Sequence, residues 1–463
     1  PHPRSGRPPE RTRPRPRQRA ARAWRAAGAC RRAPPPRGAL RPRAAGAGVS
    51  QTEIDAALLA LESEGAILRG TFTQGVRALE WCDRRLLARI HRYTLNRLRA
   101  EIAPVSPAEF MRFLFTWQHV EPSSRLAGPE GLRAILAQLD CLELPARAWE
   151  RDVLTARLER YEPSMLDMLC LSGEVGWARL SSGPSQVVGA TPIALFMRER
   201  ADDWWALREP APEAVLTVAA QKILEHLRSR GASFAQELKA ACDLTDDACR
   251  EALAELVAAG LVASDGFAGV RAIVNQSPPR RGGADTSGRW SIVRRESTAS
   301  REDAVRALAW TLLARYGVVF RRVLTRESSG VPWRDLARVY RTLEARGEIR
   351  GGRFVSGMSG EQFALPDAVD RLRELRRSGP DSTLLTISAA DPMNLTGIIT
   401  GAERIRSAAG NRIVYRNGVP LAALEGDMLR TLGEVEPEIA ADVAAAAAGR
   451  RVPVLSGFVG RLG

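Results

Sequence analysis

Arg334, Arg338 and Arg341 recur at i, i+4 and i+7, a spacing that sets three guanidinium groups on one face of a helix. Planar, always-charged forks of this kind suit the phosphate oxygens of a nucleic-acid backbone. Arg346, Arg350 and Arg353 extend the basic run through 332–353, against Asp335, Glu344 and Glu348. The competing reading is a solvated face closed by its own ion pairs. Arg85, Arg89 and Arg92, with His91 beside them, form a second stripe in DRRLLARIHRYTLNRLRAE (83–101). There Leu87, Ile90, Thr94 and Leu98 are expected to face a core, and the helix either lines a groove or lies on the surface. His119, among the aromatics of FMRFLFTWQHV, reads as a core histidine with a satisfied hydrogen bond. Trp204-Trp205 reads as packing, with stacking on a flipped base as the sharper alternative.

Other chemistries lack their residues. There is no G-x-x-x-x-G-K-(S/T) phosphate loop, and neither lysine (Lys222, Lys239) follows a glycine-rich loop. No Asp-Glu pair follows an apolar strand as a Mg²⁺ site would require. The chain therefore cannot by itself be an ATP-driven motor, and no cofactor is expected in it. G-x-S-x-G and His-Glu-x-x-His are absent. The six cysteines (Cys30, Cys82, Cys141, Cys170, Cys242, Cys249) are scattered without C-x-x-C, and only four histidines occur, which argues against structural zinc or a disulfide framework. No apolar run reaches the roughly 18 residues of a membrane span. A cytoplasmic location is the default expectation.

A formal charge of +15 on 463 residues suggests a polyanionic partner, but the charge is uneven. Residues 1–49 hold 14 arginines, ten prolines and one acid, Glu10, leaving the remainder at only +2. This segment cannot bury a core and is expected to be disordered. It reads either as a basic arm or as out-of-frame translation of GC-rich DNA upstream of the true start. The Arg/Ala/Pro bias of the whole chain is a codon effect of such a genome.

The elements that must position these residues are helices of 10–18 residues ending in glycine. The phrase Leu-x-x-x-Gly-x-(Ile/Val) occurs at Leu61/Gly65/Ile67, Leu169/Gly173/Val175, Leu256/Gly260/Val262 and Leu343/Gly347/Ile349, each followed by strand-forming residues. The leucine is a last core contact, the glycine a left-handed stop, and the next apolar residue opens a hairpin. Hairpin turns are expected at Gly70, Asp265-Gly266 and Gly351-Gly352. Helix–helix–helix–hairpin is the winged-helix plan. Further hits at Gly317 and Gly433 lack a wing.

The expected organisation is a disordered segment over 1–49, a partial winged helix over 50–80 and a helical, winged-helix region over 81–200. A winged helix over 201–275 follows, with LVASDGFAGVRAI as its wing, then a linker over 276–302. A further winged helix covers 303–366. A β-module spans 367–429, with STLLTISAADP, LTGIIT and NRIVYRNGVPLAALEG as strands and a type I′ turn at Asn417-Gly418. An Ala-rich helix and tail close the chain over 430–463. The fold class is mainly α with small β elements. Helix three of 245–259 carries Asp246, Asp247, Glu251 and Glu255 against Arg250, so it repels phosphate and reads as a packing module. The first copy lacks helices one and two, as a fragment of a longer chain would.

Three long stretches resemble the C-terminal region of bacterial large helicase-related (Lhr-type) superfamily-2 helicases. They are WCDRRLLARIHRYTLNRLRAEIAPVSPAEFMRFLFTWQHV (81–120), ARAWERDVLTARLERYEPSMLDMLCLSGEVGWARLS (146–181), and GRWSIV (288–293) with GVVFRRVL and PWRDLARVYRTLEARGEIRGGRFVSGMSGEQFALP (317–366). The resemblance covers about 50–460. It implies tandem winged helices followed by a β-barrel-like module, and a role in DNA repair in the cytoplasm at the nucleoid. It also implies attachment, in cis or in trans, to an ATP- and Mg²⁺-dependent 3′-to-5′ motor. The expected partner is single-stranded or tailed DNA, with a second copy of the chain as a further candidate. The architecture is also similar to tandem winged-helix DNA glycosylases, which excise uracil or alkylated bases and whose Gln-x-Gln or Gln-x-Asp motif positions the attacking water. Gln138-Leu139-Asp140 fits that shape, making Asp140 the candidate catalytic residue. A shifted register puts the motif on Leu139–Cys141, where it is not kept, and Asp140 then reads as a helix-end surface residue. A third reading is an oligomerisation scaffold without DNA contact.

Overall fold

The four glycines expected to stop helices sit in the left-handed region: Gly65, Gly173, Gly260 and Gly347 have φ of 67°, 85°, 64° and 79°. A side chain costs roughly 1–2 kcal/mol there, so glycine decides where each helix turns into a strand. The computed structural model describes residues 50–72, 78–100, 103–181, 190–208, 215–275, 288–293, 297–379 and 382–449. The segment 1–49 and the tail from 450 lie outside them. Two compact units result, divided between Glu101 and Ile102.

In the first unit, α1 (Gln51–Ser63) starts at a Ser50/Glu53 capping box. Strands β1 (Ile67–Gly70) and β2 (Glu80–Asp83) pair antiparallel from Ile67↔Asp83 to Gly70↔Glu80. Gly70 thus closes β1, and the turn itself falls partly in undescribed residues. Ile54, Leu58 and Ile67 form a small core with Leu61 and Trp81 against it. Helix α2 (Arg84–Ala100) follows at once, its first amides bonded to Asp83 Oδ1. Leu87 and Ile90 are half-buried, but Thr94 is exposed and does not face a core.

The second unit opens with α3 (Pro107–Trp117), capped by Ser106/Glu109. A winged helix follows: α4 (Gly128–Gln138), β3 (Glu143–Pro145), a helical stretch over 146–157 with a π turn at Trp149–Leu154, α5 (Pro163–Leu171), β4 (Val175–Ala178) and β5 (Pro192–Met197). Helix α6 (Ala201–Leu207) links it to a second: α7 (Val218–Arg230), β6 (Ser233–Phe234), α8 (Ala235–Cys242), α9 (Asp246–Ala258), β7 (Val262–Ser264), α10 (Ala268–Asn275) and β8 (Arg289–Ile292). The third is α11 (Arg301–Tyr316), β9 (Val318–Phe320), a 3₁₀ segment Arg321–Arg326, α12 (Trp333–Arg346), β10 (Arg350–Gly352) and β11 (Gln362–Ala364). All three sheets have one plan, β3-β5-β4, β6-β8-β7 and β10-β11-β9, with the last strand in the middle.

That plan corrects two wing assignments. The stretch after Asp265-Gly266 is helix α10 and not a returning strand. Phe267 and Val270 belong to the core at helical spacing, so the returning strand must come from elsewhere. It comes from β8, inside the expected linker, which pairs with both β6 and β7. Gly351-Gly352 lies within β10, opposite Phe363 and Gln362, and the chain turns back only beyond Arg353.

The β-module is an open meander, β12 (Leu384–Ser388), β13 (Arg412–Arg416), β14 (Val419–Glu425) and β15 (Met428–Thr431), with β12 and β15 as edges. The barrel-like expectation is therefore corrected: the edges do not meet, and α14 (Ala440–Ala448) covers one face. LTGIIT is a run of turns that buries Leu395, Ile398 and Ile399 and is not a strand. Asn417 and Gly418 have φ of 51° and 77°, as a type I′ turn requires. A Cβ on Gly418 would stand 1.9 Å from the Ala108 carbonyl, so glycine lets this turn press on the start of α3. Helix α13 (Pro366–Arg377) leads from β11 to the module. One large core joins α3 to the third winged helix and the inner face of the module. Another joins the first two winged helices.

Candidate nucleic-acid interface

Helix α12 begins after Pro332 and ends at Gly347. Leu336, Ala337, Tyr340 and Leu343 face inward and are buried. Each large apolar side chain sunk this way contributes about 1.5–3 kcal/mol, which fixes the helix's rotation. Tyr340 stacks on Phe363 at 5.2 Å between ring centres and donates to the Ala309 carbonyl at 3.1 Å. With that face held, Arg334, Arg338 and Arg341 point to solvent.

The wing is held as firmly. The buried amide of Gln362 accepts from the Phe354 and Val355 amides at 2.8 Å each and donates back to the Val355 carbonyl at 2.9 Å. Val105 clamps the other side, exchanging backbone bonds of 2.8 Å with Phe354 and Ser356. Arg350 and Arg353 are exposed on this rigid strand and loop. One winged helix thus carries five of the eight candidate arginines. Arg85 and Arg89 are exposed on α2 in the other unit, and the side chain of Arg92 lies outside the described residues.

The five are not equally available. Arg341 is bidentate to Glu361 at 3.1 and 2.5 Å, which raises its pKa further above the ordinary arginine value. Arg334 lies 3.5 Å from Asp335. Arg338, Arg350 and Arg353 make no ion pair among the described residues. The internal-pair reading therefore applies to Arg334 and Arg341 and leaves the rest of the face open.

Asp140 sits elsewhere. It is fully buried and not a surface residue, because α4 ends two residues earlier, at Gln138, and the chain turns it inward beneath α6. Its Oδ1 accepts from the Met197 amide and from Trp204 Nε1, both at 3.1 Å. Arg200 lies 3.6 Å from Oδ2, and the carbonyl accepts from Arg315 Nη2 at 2.6 Å. Burial raises the carboxyl's pKa to about 6, against the lowering influence of the Met197 amide and the nearby arginines. Gln138 Nε2 donates to the carbonyls of Trp117 and Ala314. Trp204 is buried by this arrangement and is a packing residue. His119 is half-buried with Nδ1 2.9 Å from the Ser124 carbonyl, and desolvation lowers its pKa.

No sequence signal marked the two deepest ion pairs. Arg157 binds both oxygens of Asp391 at 2.6 and 2.9 Å, with its guanidinium also on Val153 and Gln118. Arg315 binds Glu327 at 2.5 Å, and Tyr316 donates to the same carboxylate at 2.6 Å. The partners of the first pair are 234 residues apart in the chain, so spacing cannot expose it. Among the described residues no group of three His, Cys, Asp or Glu side chains forms a metal site, and no helix is long and apolar enough to cross a membrane.

Two segments match family models described as "Large helicase-related protein, winged-helix domain": residues 105–198 and residues 298–384. The "Lhr helicase/ probable uracil glycosylase" of Mycolicibacterium smegmatis is 34% identical over 382 residues, 73% of this chain and 24% of that protein. The "Lhr helicase/uracil glycosylase" of Escherichia coli is 28% identical over 68% of this chain and 23% of that protein. The chain thus spans about a quarter of the length of each. The DNA glycosylase AlkZ of Streptomyces sahachiroi aligns at 14% identity over 75% of this chain and 98% of its own, with a TM-score of 0.45. By its two matched domains and the two Lhr relatives, the chain belongs to the large helicase-related (Lhr) family and corresponds to its winged-helix C-terminal region.

Proposed function

We propose that this chain is the DNA-binding, non-motor part of an Lhr-type helicase acting in DNA repair, with α12 and its wing on the phosphate backbone. The observation that carries this reading is the outward arginine face of α12 on the winged helix matched at 298–384. A winged helix ordinarily offers its third helix to the major groove and its wing to the backbone. Single-stranded or tailed DNA is the proposed ligand. A motor in cis or in trans supplies ATP and Mg²⁺ chemistry, and the setting is the bacterial cytoplasm at the nucleoid. The test is titration of a labelled tailed duplex at several salt concentrations. Replacing Arg334, Arg338 and Arg341 with alanine flattens the salt dependence if they contact phosphate. An unchanged slope sinks the assignment.

A second reading is base excision, favoured by the names of both curated relatives. Its test is incubation with uracil- and alkyl-containing oligonucleotides. Abasic product that disappears in Asp140→Asn supports Asp140 as the catalytic residue, and product that persists removes it. Self-association through the acidic copies is read by light scattering beside the DNA titration.

A further inference from the structure

A second group of arginines lies where the third winged helix meets the β-module. The 3₁₀ segment Arg321–Arg326 occupies the place of the second helix, immediately before α12. Arg321 and Arg322 open it, and both are exposed. The module loop over 401–410 lies against its far end. Arg404 Nη2 reaches the Thr325 carbonyl at 3.4 Å, and Arg326 Nη2 bonds the Ala390 carbonyl at 2.6 Å and Ser407 Oγ at 3.3 Å. Arg404 and Arg406 are exposed on that loop.

The acids nearby are already satisfied. Glu327 holds Arg315 and Tyr316, Asp391 holds Arg157, and Glu403 holds Arg430. Arg321, Arg322, Arg404 and Arg406 make no ion pair among the described residues. On α12, by contrast, Arg334, Arg341 and Arg346 each lie within 4 Å of a carboxylate. A guanidinium already facing a carboxylate has less to gain from a phosphate than a free one. The seam is also rigid, because the buried Arg157–Asp391 pair and the Arg326 bonds hold the module at 390–391. A backbone held in place presents these side chains without a rearrangement of the module on binding.

We propose that the DNA path continues from α12 across Arg321–Arg326 onto the β-module, with Arg321, Arg322, Arg404 and Arg406 contacting phosphates. The proposal rests on the DNA-binding reading above and extends it to a part of the molecule that is not a winged helix. A helix that precedes a recognition helix crosses the backbone, so a strand leaving α12 that way meets the module loop next.

The experiment uses the full chain and a fluorescent 3′-tailed duplex, with affinity measured across a salt series. Each released phosphate contact changes the slope of log affinity against log salt by about 0.9 on duplex and about 0.7 on single strand. Arg404→Ala/Arg406→Ala and Arg321→Ala/Arg322→Ala are each expected to reduce the slope by about 1.4–1.8 and weaken binding about tenfold at moderate salt. Arg404→Lys/Arg406→Lys keeps the slope. Arg406→Glu alone guards against misfolding, since the Arg406 side chain makes no hydrogen bond among the described residues. It is expected to lower affinity with the melting temperature unchanged. Parent-like slopes in both alanine pairs, alongside a loss in Arg334→Ala/Arg338→Ala/Arg341→Ala, overturn the extended path and leave the DNA-binding reading standing. Absence of salt-dependent binding by the parent chain overturns both.

Discussion

Helices α9 and α12 occupy the same place in two winged helices with the same strand order, yet their outer faces are opposites. α9 carries Asp246, Asp247 and Glu251 on its exposed side and buries seven residues, from Cys249 to Ala258, on the other. α12 carries Arg334, Arg338 and Arg341 outside and buries five. The acids of α9 are engaged locally: Asp246 with Lys239 at 2.7 Å, Asp247 with Arg250 at 2.6 Å, and Glu255 with the Thr217 amide and hydroxyl. Buried positions set the shared plan, and exposed positions, which the plan leaves free, set what each copy can touch. A winged helix is a shared scaffold here, and the charge of its third helix is what differs between the copies.

The largest expected effect tests the support under the module. Arg157→Ala strands Asp391 in the interior, and losing one partner of a buried pair costs about 3–5 kcal/mol. Chemical denaturation should show it as a large fall in midpoint, whereas single alanine changes at exposed Arg338 stay within about 0.5 kcal/mol. Next comes the α12 face itself. Arg334→Ala/Arg338→Ala/Arg341→Ala should weaken DNA binding about 10- to 100-fold near physiological salt without lowering the melting temperature. Equal losses from neutralising the α9 acids would erase the contrast between the two copies. A smaller effect separates paired from free arginines within α12. Glu361→Gln releases Arg341, and affinity should rise about two- to fivefold at low salt if that guanidinium reaches phosphate.

The smallest effect concerns pH. Asp140 has a folded pKa of about 6, above its ordinary value of 3.8. A raised acid favours folding below its unfolded pKa, and the contribution is lost as pH rises through the folded one. Asp140→Asn should therefore gain on the parent between pH 4 and 7, by at most about 3 kcal/mol, read as the difference in their melting curves. A difference that is flat with pH would show that folding does not shift the carboxyl's titration.

Much of the framework was legible along the chain. Leu343 and Gly347 announce the end of α12 because a last core contact and a left-handed stop are local requirements, met within one helical turn. The helix expected over 245–259 is α9, and the hydroxyl of Thr245 accepts from the Ala248 amide at its start. The wing of the second winged helix was not legible. Its returning strand, RWSI, follows α10 and a Pro/Gly/Ser/Arg stretch, and nothing local says that it pairs with Val262–Ser264. The open edge of the β-module is equally a matter of which strands meet in space. Asp140 was legible as a residue of interest but not as a buried one, since its hydrogen-bond donors Met197 and Trp204 lie 57 and 64 positions away.

The sequence by itself determined the repeated plan, the opposite charges of α9 and α12, and the absence of a nucleotide-binding loop. Each of these depends on neighbours within a few residues. Only the tertiary structure decided which arginines are free. Arg157 and Arg315 vanish into buried pairs and Arg341 is held by Glu361, while Arg321, Arg322, Arg404 and Arg406 gather at one seam. The physical reason is that a guanidinium's availability depends on the carboxylates that folding brings to it, and those come from anywhere in the chain.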